Sequence, residues 1–102
     1  MAQLVVTYGK PADPAAFDAH YRDVHIPLAN AIPGLLRSEV SDGPALTPEG
    51  PSDVHMIATL TFDGLADIAA AFASPQGQAA AADVACFATG GASMLMFETR
   101  EV

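Results

Sequence analysis

A chain of 102 residues with a single cysteine has the length of one domain and no possibility of an intramolecular disulfide. Its formal net charge of −8 opposes phosphate backbones and anionic lipid, which excludes nucleic acid and membrane surfaces as expected partners. With 51% hydrophobic and only 16% charged residues the chain is too oily to be disordered, and so small a domain is expected to bury part of that surface against a partner.

Residues Gln3 to Tyr8, rich in β-branched and aromatic side chains and ended by Gly9, predict a first strand. Pro11 makes a turn, Asp13 offers a helix N-cap and Pro14 suits the first helical position. Phe17, Tyr21, Val24 and Leu28 then recur at i, i+4, i+7 and i+11, one face of an α-helix. Pro27 bends or ends that helix, and Ile32-Pro33-Gly34 stops it.

Leu35 to Val40 predicts a second strand, and Ser41 to Asp53, with three prolines and two glycines, a long loop suited to cover a pocket. Val54 to Phe62 is the clearest strand: Met56, Ala58, Leu60 and Phe62 form an oily face, and His55, Ile57, Thr59 and Thr61 a mixed one. After Asp63-Gly64, Leu65, Ile68 and Phe72 mark a helix, and Ser74-Pro75 caps a second helical piece running towards Ala85. Cys86, in this apolar stretch, is expected to be a small buried thiol. Gly90-Gly91 breaks the chain, and Ala92 to Thr99 closes it as a strand whose apolar run Met94–Phe97 implies that both faces are covered.

The order β-α-β-β-α-β predicts one α+β domain over residues 1–102: a ferredoxin-like fold, a four-stranded antiparallel sheet with two helices on one face. The helices cover only one face, and a second copy of the sheet is the simplest cover for the other, giving a two-fold homodimer. No basic segment with an apolar core opens the chain, and no apolar run reaches the roughly 18–20 residues that span a bilayer. The expected protein is soluble and cytoplasmic.

The stretch from Tyr8 to Arg37 resembles the EthD family. The resemblance is carried by a strand ending in Tyr8-Gly9-Lys10-Pro11, by Phe17 and Tyr21, by His25-Ile26-Pro27-Leu28 and by the Ile32-Pro33-Gly34-Leu35 exit. Ser74-Pro75 and the Asp83–Phe87 segment before a Gly-rich turn also fit. It implies a dimeric α/β barrel with a cleft between helices and sheet in each subunit. It implies no single reaction, because the family and its relatives include accessory proteins of degradation operons, cofactor-free oxygenases and small isomerases.

His25 is the candidate catalytic residue, since imidazole alone titrates near neutrality unperturbed and can shuttle a proton. On an α-helix it sits about 80° from Phe17, at the edge of the buried stripe. The competing structural reading is that its ring pins the helix end by bonding the carbonyl that Pro27 frees. Tyr8 and Tyr21 are candidate substrate-binding phenols, able to orient a carbonyl or stabilise an enolate, although Tyr21 is also a core position. His20 and Met56 complete the candidate substrate-binding set, His20 from the opposite edge of the stripe and Met56 as adaptable apolar filling. The i, i+5 spacing puts His20 and His25 about 140° apart on an α-helix, so a shared metal is not expected. His55 reads as a solvent or interface residue. A haem on His25, known in related barrels, has no direct support in the sequence, and the expected cofactor set is empty.

No phosphate-cradling loop, Gly-x-Ser-x-Gly elbow or activated cysteine is present, which disfavours hydrolases, kinases and nucleotide-dependent dehydrogenases. Three functional readings follow. The first is a cofactor-independent enzyme or enzyme accessory, of oxidoreductase or isomerase type, acting on an apolar aromatic or carbonyl-containing molecule. The second is a non-catalytic carrier of a hydrophobic metabolite, and the third a structural dimer whose cleft is packed shut.

Overall fold

A computed structural model describes all residues, 1–102. Strand β1 (Ala2–Gly9) buries Ala2, Leu4, Val6 and Tyr8 on one face, the alternation its sequence dictates. Helix α1 (Pro14–His20) starts where the Asp13 carboxylate accepts the Ala16 N–H at 3.1 Å, with Pro14 in the first turn.

Beyond His20 the helix widens. Tyr21–His25 form one π-helical turn, closed by the Ile26 N–H donating to the Tyr21 carbonyl five residues back, before α2 (Ile26–Asn30) resumes α geometry. Pro27 supplies a physical reason: it has no N–H, and its ring crowds the carbonyl four residues earlier, so a regular ladder cannot continue through it. The extra residue in the turn shifts the buried stripe from the α-helical expectation. Val24, expected in the core, is 42% exposed, and His25 takes the buried place at 7%. The inward positions are Phe17, Tyr21, His25 and Ala29.

The chain continues through β2 (Arg37–Val40), which starts two residues later than the apolar pattern suggested, and a small hairpin of β3 (Leu46–Thr47) and β4 (Gly50–Pro51) inside the long loop. Then follow β5 (Val54–Phe62), α3 (Leu65–Ala73), α4 (Pro75–Phe87) and β6 (Ala92–Glu98). The main sheet runs β2-β5-β1-β6, antiparallel throughout. Leu4 lies between Leu60 and Met96, and Val6 between Ala58 and Met94, all on the helix side. This is the expected ferredoxin-like α+β fold.

The α3–α4 corner is tight. The Ser74 hydroxyl caps α4 at Gly77 N–H (3.1 Å) and donates to the Ala71 carbonyl, and a Cβ on Gly77 would collide with the backbone of Ala71 and Phe72. One helical layer on one sheet makes the molecule only 18 Å thick. The outer face of the sheet is therefore bare in a single protomer. Leu95 and Phe97 are exposed there, and Met94 and Met96 remain partly open on the inner side, so the two-sided cover expected for this strand is absent within the protomer. Cys86 is likewise exposed rather than buried, because the inward face of α4 is taken by Ala80 and Phe87.

Candidate functional site

Asp83 and Phe87 are one turn apart on α4 and face the first helix together. Phe87 is the hub of an aromatic cluster, its ring 5.5 Å from Tyr8, 5.1 Å from Phe17 and 5.6 Å from Tyr21, centroid to centroid. It also packs at 4.9 Å against His25 and 5.3 Å against His20. These contacts hold both imidazoles where the Asp83 carboxylate reaches them. His25 Nδ1 lies 2.9 Å from Asp83 Oδ2, and His20 Nε2 lies 2.9 Å from Oδ1 and 3.1 Å from Oδ2.

The two histidines thus share one carboxylate, which the α-helical angle of about 140° disfavours. The π turn makes five residues nearly one revolution and brings both rings to the same side. His25 does not bond a backbone carbonyl freed by Pro27; its partner is a carboxylate from a distant helix. Asp83 is the residue of this cluster that the sequence reading did not single out. Its only sequence signal is that it is the sole charged residue in Pro75–Phe87, four positions before an aromatic.

Burial strips water from His25 and pushes its pKa below the ordinary 6.5, against the hydrogen bond and charge of Asp83, so the ring is neutral near pH 7. Burial alone would raise the Asp83 carboxyl, but the hydrogen bonds and charge of His20 and His25 hold it below the usual carboxylate range. An ionised Asp83 accepts, so His25 Nδ1 carries the proton and Nε2 keeps its lone pair. His25 is also the one non-hydrophobic residue lining a cavity of about 450 Å³ between the helices and the sheet.

Tyr8 and Tyr21 line the same cavity, 5.9 Å apart ring to ring, with Tyr21 at 5.1 Å from His25. Their hydroxyls bond nothing within the chain, and neither is a sealed polar atom without a partner. Burial raises both: Tyr21 to about 12, and Tyr8 further, with Tyr21 and Asp83 adding to the burial effect. Both phenols are neutral donors at pH 7. Leu4, Val6, Leu60, Ile68, Phe72 and Met96 are among the apolar side chains that form the rest of the wall.

Of the candidate substrate-binding residues, Tyr8 and Tyr21 reach this cavity and His20 stands behind it on Asp83. Met56 does not line it; Met94 and Met96 do. Met56 instead borders a separate polar groove under the 41–53 loop, so that loop covers the groove and not the cavity. His55 also lies there. A register slip opposite Tyr8–Gly9 turns it out of the alternation, onto Phe17 at 4.7 Å and to Asp18 at 2.9 Å. No group of three or more ligating side chains is arranged to hold a metal ion, and no helix is long and apolar enough to cross a membrane.

A ferredoxin-like protein with a helix–sheet cavity and a histidine held at its wall defines the class. The EthD domain model matches residues 10–91, and the chain belongs to the EthD family. It is 44% identical over 102 residues to an uncharacterised 11.0 kDa protein of the thcB–thcC intergenic region of Rhodococcus erythropolis, covering 100% of this chain and 98% of that one. Among solved structures, an EthD family protein of Bacillus halodurans superposes with a TM-score of 0.90 at 29% identity, over 98% of this chain and 99% of that chain. The hydroxynitrile lyase of Passiflora edulis shares the fold at a TM-score of 0.77 and 19% identity, over 99% and 94% of the two chains.

Proposed function

We propose that this protein is a small cofactor-independent enzyme, or enzyme accessory, that moves a proton on an apolar carbonyl- or hydroxyl-bearing molecule, with His25 as the shuttle. One observation carries the reading: Asp83 fixes Nδ1 of a buried neutral imidazole, whose ring forms part of the wall of a cavity that also holds two phenols. With a bound ketone, His25 Nε2 takes the hydrogen from the carbon next to the carbonyl. The electrons of that C–H bond form the enolate, and the Tyr8 and Tyr21 hydroxyls donate to its oxygen. Return of a proton from His25 to carbon completes an exchange or an isomerisation. Asp83 stabilises the imidazolium between the two steps, and His20 holds Asp83.

The working form is a homodimer, for which the exposed outer residues Leu95 and Phe97 supply an apolar face. The fold is also that of a hydroxynitrile lyase from Passiflora edulis, which supports an enzymatic reading. A cavity of this size argues against a cleft packed shut.

The test is deuterium incorporation into 2-acetylnaphthalene in D2O, followed by NMR beside a binding titration. Exchange above buffer that falls by about 10²-fold in His25→Gln supports the shuttle. A ketone that binds without exchanging supports the carrier reading.

A further inference from the structure

Resting on that reading, we propose that the cavity selects uncharged ligands and rejects carboxylates, so that the substrate class is neutral apolar ketones, aldehydes or phenols, and not organic acids or acyl phosphates. The placement of charge carries the inference. The chain has only four Lys and Arg residues, and none lines the cavity. Lys10 borders the polar groove, Arg22 bonds its neighbour Asp23 at 2.9 Å, Arg37 lies 3.9 Å from Glu39, and Arg100 is in the exposed tail.

The polar groups that do face the cavity are His25, Tyr8 and Tyr21. The phenols donate to a carbonyl or hydroxyl oxygen, and His25 Nε2 accepts from a hydroxyl or abstracts a C–H proton. With His25 in its neutral resting form, none of them brings a positive charge to an incoming anion. The carboxylate of Asp83 lies directly behind His25, and it repels a second carboxylate placed against the imidazole. An anionic ligand would lose its water without gaining a counter-charge, a penalty that a neutral ligand of the same shape avoids.

The cavity also sets the size. At about 30 Å³ per water-sized unit, 450 Å³ admits on the order of ten to fifteen non-hydrogen atoms, a two-ring aromatic with one polar head. Ala29, Ala58, Ala69, Ala80 and Ala81 provide this room, since larger residues at those wall positions would fill it.

The experiment compares two probes of equal non-hydrogen atom count, 2-acetylnaphthalene and 2-naphthoate, by NMR titration of the 102-residue protein at pH 7.5. The ketone is expected to bind at least tenfold more tightly, about 1.4 kcal/mol. Ala81, exposed at the rim, provides the counter-test: Ala81→Lys is expected to raise naphthoate affinity at least tenfold and to abolish the preference. Equal or tighter binding of naphthoate to the wild type overturns the proposal, as does failure of the ketone to bind. Because the readout is binding, a ketone preference retained in His25→Gln with no deuterium exchange in the wild type would leave the selectivity standing and remove the shuttle.

Discussion

Asp83→Asn is the sharpest probe of the site, because it keeps shape and removes charge. The carboxylate accepts from two rings, His25 and His20, whereas an asparagine side chain has one acceptor oxygen and a donating NH2. One histidine must therefore lose its partner or change tautomer. The His25 and Asp83 side chains are only 8% and 10% exposed, so their bond is a buried, charge-assisted one, about 1.5–3 kcal/mol. His20 is 29% exposed and its bond is partly screened, about 0.5–1 kcal/mol. The amide recovers roughly 1 kcal/mol by keeping one hydrogen bond and the packing, so the net loss is about 1–3 kcal/mol. Urea unfolding at one fixed protein concentration, with and without the substitution, reads that loss; histidine ring 15N shifts read the tautomer. The expected variant is less stable by that amount, with the Nε2–H form of His25 populated and ketone exchange reduced about 10²-fold. A variant within about 0.5 kcal/mol of wild type, with the His25 tautomer unchanged, would refute the reasoning, because Asp83 would then neither stabilise nor orient the ring.

Acid should weaken the fold in two stages. Burial lowers the His25 pKa below 6.5, so the unfolded chain takes up the proton first; the stability of the neutral ring is complete above 6.5 and lost as pH falls from there to the folded-state value. The depressed Asp83 pKa adds stability present above the ordinary 3.8 and lost as pH falls through its lower folded value; urea midpoints from pH 8 to pH 3 should show both stages, and His25→Gln should lack the first. Leu95→Lys, at a residue 71% exposed on the bare sheet face, should turn a sedimenting dimer into a monomer with an unchanged far-ultraviolet spectrum; a persistent dimer would place the interface elsewhere. Gly77→Ala should destabilise by about 1–3 kcal/mol, because its Cβ meets the backbone of Ala71 and Phe72 at the helix corner, and a neutral substitution would show that the corner relaxes freely.

The fold was legible because its signals are local. Alternation in Gln3–Tyr8 and Val54–Phe62, the Asp13-Pro14 and Ser74-Pro75 caps and the Gly90-Gly91 break each specify an element from adjacent residues. The EthD resemblance was legible for a similar reason, since His25-Ile26-Pro27-Leu28 and Ile32-Pro33-Gly34 form a contiguous signature, and the family match extends over residues 10–91. Burial was misread at Cys86, which looks interior by composition and is exposed. The outer side of Met94–Phe97 is bare in one protomer, the face for which a second copy was the expected cover.

The site was only half legible, and one residue of helical phase accounts for the other half. Counting 100° per residue places His20 and His25 on opposite edges of the helix and leaves Val24 in the core. Both conclusions follow correctly from an α-helix and fail together when the helix takes one π turn. The same Pro27 that marks the His-x-Pro-Leu signature is the residue that disturbs the ladder, so the motif encodes a backbone irregularity as well as a side chain. That irregularity is what turns two separate imidazoles into a pair sharing Asp83, a residue 58 positions from His25 that no local pattern connects to it. Recognising the histidine therefore required only the motif, whereas recognising its tautomer, its neutrality and its orientation required the packing of α4 against the widened turn.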